Sequence, residues 1–212
     1  MTDVTLYGLP PSTYVRTAIM ALEAKGADYT LEFPDFRSGA YAELHPFGRI
    51  PALRHGDLVL YETLAICTYV DEAFDGPALQ PGDAVGKARM LQWISAINDY
   101  MYTSFVRNCV SERFVKPMRG MQTDEAVCAA AKPTIEKHLG ILDKALSASP
   151  YLSGETVSLA DYFLAPILAY LAVTPEGEEL MPGLEGVAAW TERMAGTAGY
   201  ARINAVPPAK AA

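Results

Sequence analysis

The chain has 212 residues, with 17 Lys and Arg against 25 Asp and Glu and a formal charge of -8, so it lacks the clustered cations that grip a nucleic-acid backbone, and anionic membranes repel it. Its hydrophobic content of 50% supports a buried core without disulfides. Cys67, Cys109 and Cys128 cannot all pair and lie in no CxxC or Cys/His cluster, which fits a reducing cytoplasm and argues against a metal site. The opening MTDVTLYGLPPS has no basic segment followed by an apolar one, and no run of about 18 apolar residues occurs, so neither a signal peptide nor a membrane span is expected.

Val4 to Tyr7 is a β-branched and aromatic run closed by Gly8 and Pro10-Pro11, which predicts a strand and a turn. Val15, Ala18, Ile19 and Leu22 recur at helical spacing, with Ser12 or Thr13 placed to cap the start and Gly26 the end. Tyr29 to Phe33 reads as a second strand and Ser38 to Leu44 as a short helical turn. Ile50 to Arg54 and Asp57 to Tyr61 read as a strand pair around His55-Gly56-Asp57. Glu62 opens a helix whose stripe of Ile66, Tyr69, Val70, Ala73 and Phe74 ends at Gly76-Pro77. The order β-α-β-(α)-β-β-α is an α/β layer unit of about 75 residues.

The segment GPALQPGDAVG, from Gly76 to Gly86, reads as a linker. Beyond it strand signals vanish. Leu91, Ile94, Ile97, Met101 and Phe105 lie at helical spacing, as do Val127, Ala131, Ile135, Leu139, Leu142 and Leu146, which predicts a helical bundle. Ser158-Leu159-Ala160-Asp161 is a capping box, Pro166 should kink the helix it opens, and a last helix carries Val187, Trp190 and Met194. The tail Ala205 to Ala212 is expected to fray. The expected division is therefore 1–76, a linker over 77–86, and helices over 87–212.

Four local features, in order, make the sequence resemble the cytosolic glutathione transferases. They are His45-Pro46-Phe47-Gly48-Arg49-Ile50-Pro51-Ala52-Leu53; Tyr61-Glu62-Thr63 with Ala65, Ile66 and Tyr69; Pro81-Gly82-Asp83 before Gln92-Trp93; and Ser158-Leu159-Ala160-Asp161. The resemblance spans Val4 to Tyr200 and implies a thioredoxin-like N-terminal domain with a cis peptide at Pro51, followed by an all-α C-terminal bundle. It points to the serine-type, phi-like and theta-like classes, and a bacterial source is expected.

The resemblance also assigns roles. Ile50-Pro51 would present the backbone of Ile50 to the cysteinyl unit of glutathione as an added strand. Glu62 would take the γ-glutamyl ammonium, while the free N–H groups at the start of that helix, with Thr63, take its carboxylate. Thr63 stands where serine is commoner but keeps the hydroxyl. Arg49 and His45 are candidates for the glycyl carboxylate. Ser12 lines up with the catalytic serine, whose hydroxyl donates to the glutathione sulfur at a helix N-terminus that favours thiolate; Tyr14 and Thr13 are its rivals. The electrophile's pocket is expected between the Pro10-Pro11 turn and the helices holding Trp93 to Arg113, with Pro11, Tyr100 and Phe105 as candidates. The family forms homodimers across the helices carrying Ile66 and Trp93, so a homodimer is expected. Glutathione is the co-substrate and a small hydrophobic electrophile its partner, with no metal, nucleic acid or membrane.

Other functions remain open on the same motifs. One is a glutathione-dependent disulfide reductase, ether-cleaving enzyme or isomerase, and another is a non-catalytic ligand-binding module.

Overall fold

The computed structural model describes residues 3–37 and 39–204. The expected start of the short helix at Ser38 and the tail from Ala205 lie outside them. Among the described residues, 3–80 with 197–204 form one compact unit and 81–196 another.

The first unit runs β1 (Val4–Tyr7), α1 (Thr13–Ala24), β2 (Thr30–Glu32), α2 (Gly39–Leu44), β3 (Ala52–His55), β4 (Leu58–Tyr61) and α3 (Thr63–Ala73). The sheet order is β2-β1-β3-β4. β1 and β2 are parallel, which requires a crossover, supplied by α1. The pairs β1–β3 and β3–β4 are antiparallel. β1 is buried along its whole length, whereas the edge strand β4 is mostly exposed. β3 starts later than the sequence pattern predicts because Pro51 has no N–H to give a ladder.

The segment after α3 is anchored. Asp71, buried against Lys25, accepts from the Lys25 ammonium at 3.2 Å and from the Leu79 N–H at 2.8 Å through one oxygen, and from Gln80 at 3.0 Å through the other. Lys25 also donates to the Pro77 carbonyl at 3.1 Å. The expected linker over 77–86 is therefore largely occupied: Leu79 is buried, and Asp83 already caps α4, accepting from the N–H groups of Val85 and Gly86.

The second unit is helical: α4 (Ala84–Ala96), π-helical stretches at Ile97–Met101 and Thr103–Val115, α5 (Lys116–Met118), α6 (Glu125–Ala148), α7 (Leu159–Leu171), α8 (Pro175–Leu180) and α9 (Glu185–Ala195). The widened winding shows in the N–H of Tyr102 bonding the carbonyl of Ile97, and that of Lys116 the carbonyl of Ser111. α7 is buried at every residue except Ala169 and packs on α4 and on Thr103–Val115. The helix continues through Pro166, as α6 does through Pro133.

At the start of α7 the expected capping box is present, and Asp161 does more than cap. Its carboxylate accepts from the Ser158 N–H (2.9 Å) and hydroxyl (3.0 Å), the Leu152 N–H (3.0 Å) and the Trp190 indole (2.9 Å). Residues 87–212 do not all stay in this bundle. α10 (Tyr200–Asn204) returns to the first unit and packs on α1, where Arg202 pairs with Glu23 and lies over the ring of Tyr29. α8 and α10 are too short to show a periodic stripe, so no pattern announced them.

Candidate active site

The register of the sheet gathers the predicted residues of the first unit. Tyr7 pairs with Ala52, and Ala52 with Tyr61. The segments just beyond these three, Gly8–Ser12, Ile50–Pro51 and Glu62–Thr63, therefore emerge at one end of the sheet. These are the segments that the motif reading singled out.

The turn after β1 is held from several sides. Gly8 sits so close to Val15 that a Cβ would lie 2.4 Å from a Val15 methyl, so only glycine fits. The Ser12 N–H donates to the Leu9 carbonyl at 2.9 Å. Ser12 is extended, at φ -70 and ψ 126, and caps α1, its Oγ accepting from the Val15 N–H at 3.4 Å. That bond is long and uses only an Oγ lone pair, so the hydroxyl proton stays available to a partner outside the helix. No acidic residue occupies the first turn of α1, which leaves the positive end of the helix dipole unneutralised by its own side chains.

Of the two rivals, Thr13 is buried with its Oγ1 unpartnered, and Tyr14 is half-buried. The sequence reading missed Arg16. It is 3% exposed, and its Nε donates to the Pro10 carbonyl at 2.8 Å, tying the turn to the helix that follows. A cation four residues after the cap, inside an otherwise apolar run, was its only signal.

The Ile50-Pro51 peptide is cis. Ile50 is half-buried against the cluster of Tyr7, Tyr41 and Ala52 and lies outside the β3–β4 ladder, whose last pair is Ala52–Tyr61. Arg49 has an exposed side chain, and its carbonyl accepts from the Tyr41 hydroxyl at 2.6 Å. Burial pushes that phenol up to about 12, so it stays a donor at neutral pH.

Glu62 is the one non-glycine residue with positive φ among the described residues, at φ 70 and ψ 121. Such a conformation costs on the order of 1–3 kcal/mol and collects at ligand clamps. Glu62 is exposed, and its side chain makes no cap bond to α3. The first N–H groups of α3 thus keep their capacity for an anion. Thr63 follows at the first helical position and is buried.

His45, at the end of α2, is 2% exposed, and its Nδ1 has no partner. Its ring lies 5.1 Å from that of Tyr61 and 6.3 Å from that of Phe47. Burial lowers its basicity, Glu62 opposes this, and Arg49 adds to it. A base whose folded-state pKa is lowered binds fewer protons folded than unfolded. Its contribution to stability is complete above the unfolded value of about 6.5 and is lost as pH falls through the folded value. The urea midpoint of the wild type should therefore fall more steeply than that of His45→Gln between about pH 7 and pH 5.5.

The electrophile candidates separate. Pro11 and Tyr100 are exposed, Tyr100 by 68%. Phe105 is fully buried in the helical unit, its ring 6.0 Å from that of His138. It is a core side chain rather than a pocket surface, because the face carrying Ile94, Ile97, Met101 and Phe105 is the one turned inward.

A cis-proline segment at the end of the sheet, an open helix start beside a strained acidic residue and a hydroxyl at the first helix fit a thioredoxin-like, glutathione-transferase class of protein. Comparison with known proteins agrees. Residues 2–72 match the glutathione S-transferase N-terminal domain and residues 125–193 the glutathione S-transferase C-terminal domain. Glutathione S-transferase F14 of Arabidopsis thaliana is 35% identical over 188 residues, covering 84% of this chain and 73% of its own. The theta class enzyme of Xanthomonas axonopodis pv. citri, solved with glutathione bound, superposes with a TM-score of 0.86 at 28% identity, covering 97% of this chain and 99% of its own. Maize glutathione S-transferase I, solved with an atrazine glutathione conjugate, gives a TM-score of 0.86 at 28% identity, over 95% and 96% of the two chains. The chain belongs to the glutathione S-transferase family.

Proposed function

We propose that this enzyme conjugates glutathione to small hydrophobic electrophiles, with Ser12 as the thiol-activating residue of a serine-type, phi-like or theta-like site. The observation that carries the reading is the convergence of Ser12, Ile50-Pro51 and Glu62-Thr63 beyond the Tyr7–Ala52–Tyr61 row. Glutathione lies extended along Ile50, its γ-glutamyl carboxylate at the N–H groups of α3 and its ammonium at Glu62. Arg49 and His45 stand toward its glycyl end.

The Ser12 hydroxyl donates to the sulfur, and the positive end of α1 adds to the stabilisation of thiolate. The thiol loses its proton to solvent, the thiolate attacks the electrophilic carbon, and the leaving group departs with the bonding electrons. Among the rival reactions, disulfide exchange is the least supported. Cys67, Cys109 and Cys128 are all buried with their thiols pushed up, Cys109 to about 12, and no cysteine lies on the Ser12 turn.

The working form is a cytoplasmic homodimer in a detoxifying role. Phe47, 70% exposed, with Tyr61 and Leu58 beside the same sheet edge, supplies apolar surface for a second copy.

The reading is tested with glutathione and 1-chloro-2,4-dinitrobenzene. Glu62→Ala should raise KM for glutathione roughly 10- to 100-fold, the loss of one charge-assisted hydrogen bond, and leave kcat within about twofold. Unchanged KM in the variant would remove Glu62 from the glutathione site, and no glutathione binding or turnover by the wild type would leave a ligand-binding module.

A further inference from the structure

We infer that the helical unit carries a second, non-catalytic binding site, a groove between α8 and α9 that takes a lipophilic monocation such as an aromatic or aliphatic amine. The inference stands apart from the glutathione site and uses none of its residues. The groove is an open trough of about 570 Å³, lined by Ala172 at the end of α7, by Gly177 and Glu178 of α8, by Met181 and Pro182, and by Val187, Ala188, Thr191, Glu192 and Ala195 of α9. That volume is in the range of small-molecule sites, which are mostly apolar with a few placed polar groups.

The groove has a local cause. Gly177 is pressed onto the end of α7, where a Cβ would meet the Leu171 carbonyl oxygen at 1.9 Å, so α8 is held against α7. Across from it, α9 turns Ala188 and Ala195 to the groove, two turns apart on one face of the helix and too small to fill it.

The polar groups decide which ligand fits. Glu178 and Glu192 are the only charged residues in the lining, and neither takes part in an ion pair among the described residues. The neighbouring Lys132 is engaged by Glu179. The Thr191 hydroxyl donates to the Val187 carbonyl at 2.8 Å, so it offers a ligand its methyl group and an oxygen lone pair. The Gly186 and Val187 N–H groups at the start of α9 are bound by Asp143 and cannot recruit an anion. An apolar trough with two carboxylates and no cation favours a ligand with an apolar body and one positive charge, and it repels anionic glutathione.

Berberine, a permanently charged aromatic cation that brightens in apolar surroundings, serves as the probe for the intact protein. One berberine should bind per chain, unchanged by saturating glutathione. Ala188→Trp, at an exposed position in mid-helix, should abolish binding while leaving conjugating activity intact. The double variant Glu178→Gln with Glu192→Gln should weaken binding about tenfold at low salt and lose the salt dependence of the wild type. Undetectable binding, binding unaltered in Ala188→Trp, or equal affinity for the anionic dye 1-anilinonaphthalene-8-sulfonate in a manner sensitive to Ala188→Trp would overturn the inference.

Discussion

Asp161→Ala should destabilise the protein by about 4 kcal/mol or more, a large fraction of the roughly 5–15 kcal/mol that holds an ordinary domain folded. The carboxylate is fully buried and collects donors from three places: Ser158 before α7, Leu152 in the preceding loop and Trp190 of α9. Alanine strands two backbone N–H groups and an indole N–H in the core, each costing roughly 1–3 kcal/mol, and removes half of a capping box. Ser158→Ala removes the other half and should cost only about 1 kcal/mol. Asp161→Asn should fall between the two. Burial pushes the Asp161 carboxyl up against the pull of its four hydrogen bonds, so asparagine removes a charge that is expensive to bury while keeping one acceptor. Urea unfolding followed by circular dichroism would rank the three variants. Equal losses for alanine and for Ser158→Ala would mean that Asp161 only caps.

The sequence showed half of this network, because a capping box is local: serine and aspartate three residues apart lie next to each other at any helix start. The other half joins residues 9 and 29 positions away, and no spacing rule reaches that far. The same division runs through the fold. The strand–turn–helix units of the first domain were legible because each is written in a short pattern with its own stop signals; Asp83 stood out within the Pro81-Gly82-Asp83 motif, but its role as the cap of α4 was obscured by prolines and glycines that looked like a linker. At the site, Ser12, Ile50-Pro51 and Glu62-Thr63 are conspicuous as motifs, but what brings them together is sheet register, a property of pairing between strands. The positive φ of Glu62 had no sequence signal at all, since glycine or asparagine is the residue type that advertises such a backbone. Phe105 was misread for a related reason: an aromatic stripe at helical spacing does not say which side of the helix is the core.

Ser12→Ala should lower kcat/KM at about pH 6.5 roughly 10- to 100-fold, because the lost bond to sulfur is charge-assisted and worth about 1.5–3 kcal/mol. The pKa of the bound thiol should rise by one to two units toward the free value of about 8.5, seen as a shift in the pH dependence of thiolate absorbance. The deficit should shrink as pH rises past that value, where the thiol ionises without help. Affinity for glutathione, which the proposed site assigns to Ile50, Glu62 and the start of α3, should change little. Alanine also deletes the cap to Val15, so a loss of activity alone would not separate chemistry from a frayed helix. Ser12→Gly separates them, because glycine at a cap position costs only a few tenths of a kcal/mol but has no hydroxyl. If the hydroxyl activates the thiol, the glycine variant keeps the wild-type melting temperature within a few degrees and is as slow as the alanine variant. A glycine variant with near wild-type kcat and an unshifted thiol pKa would transfer the role to Tyr14 or Thr13. Tyr14→Phe and Thr13→Val, assayed for the same thiolate absorbance, would then show which one donates.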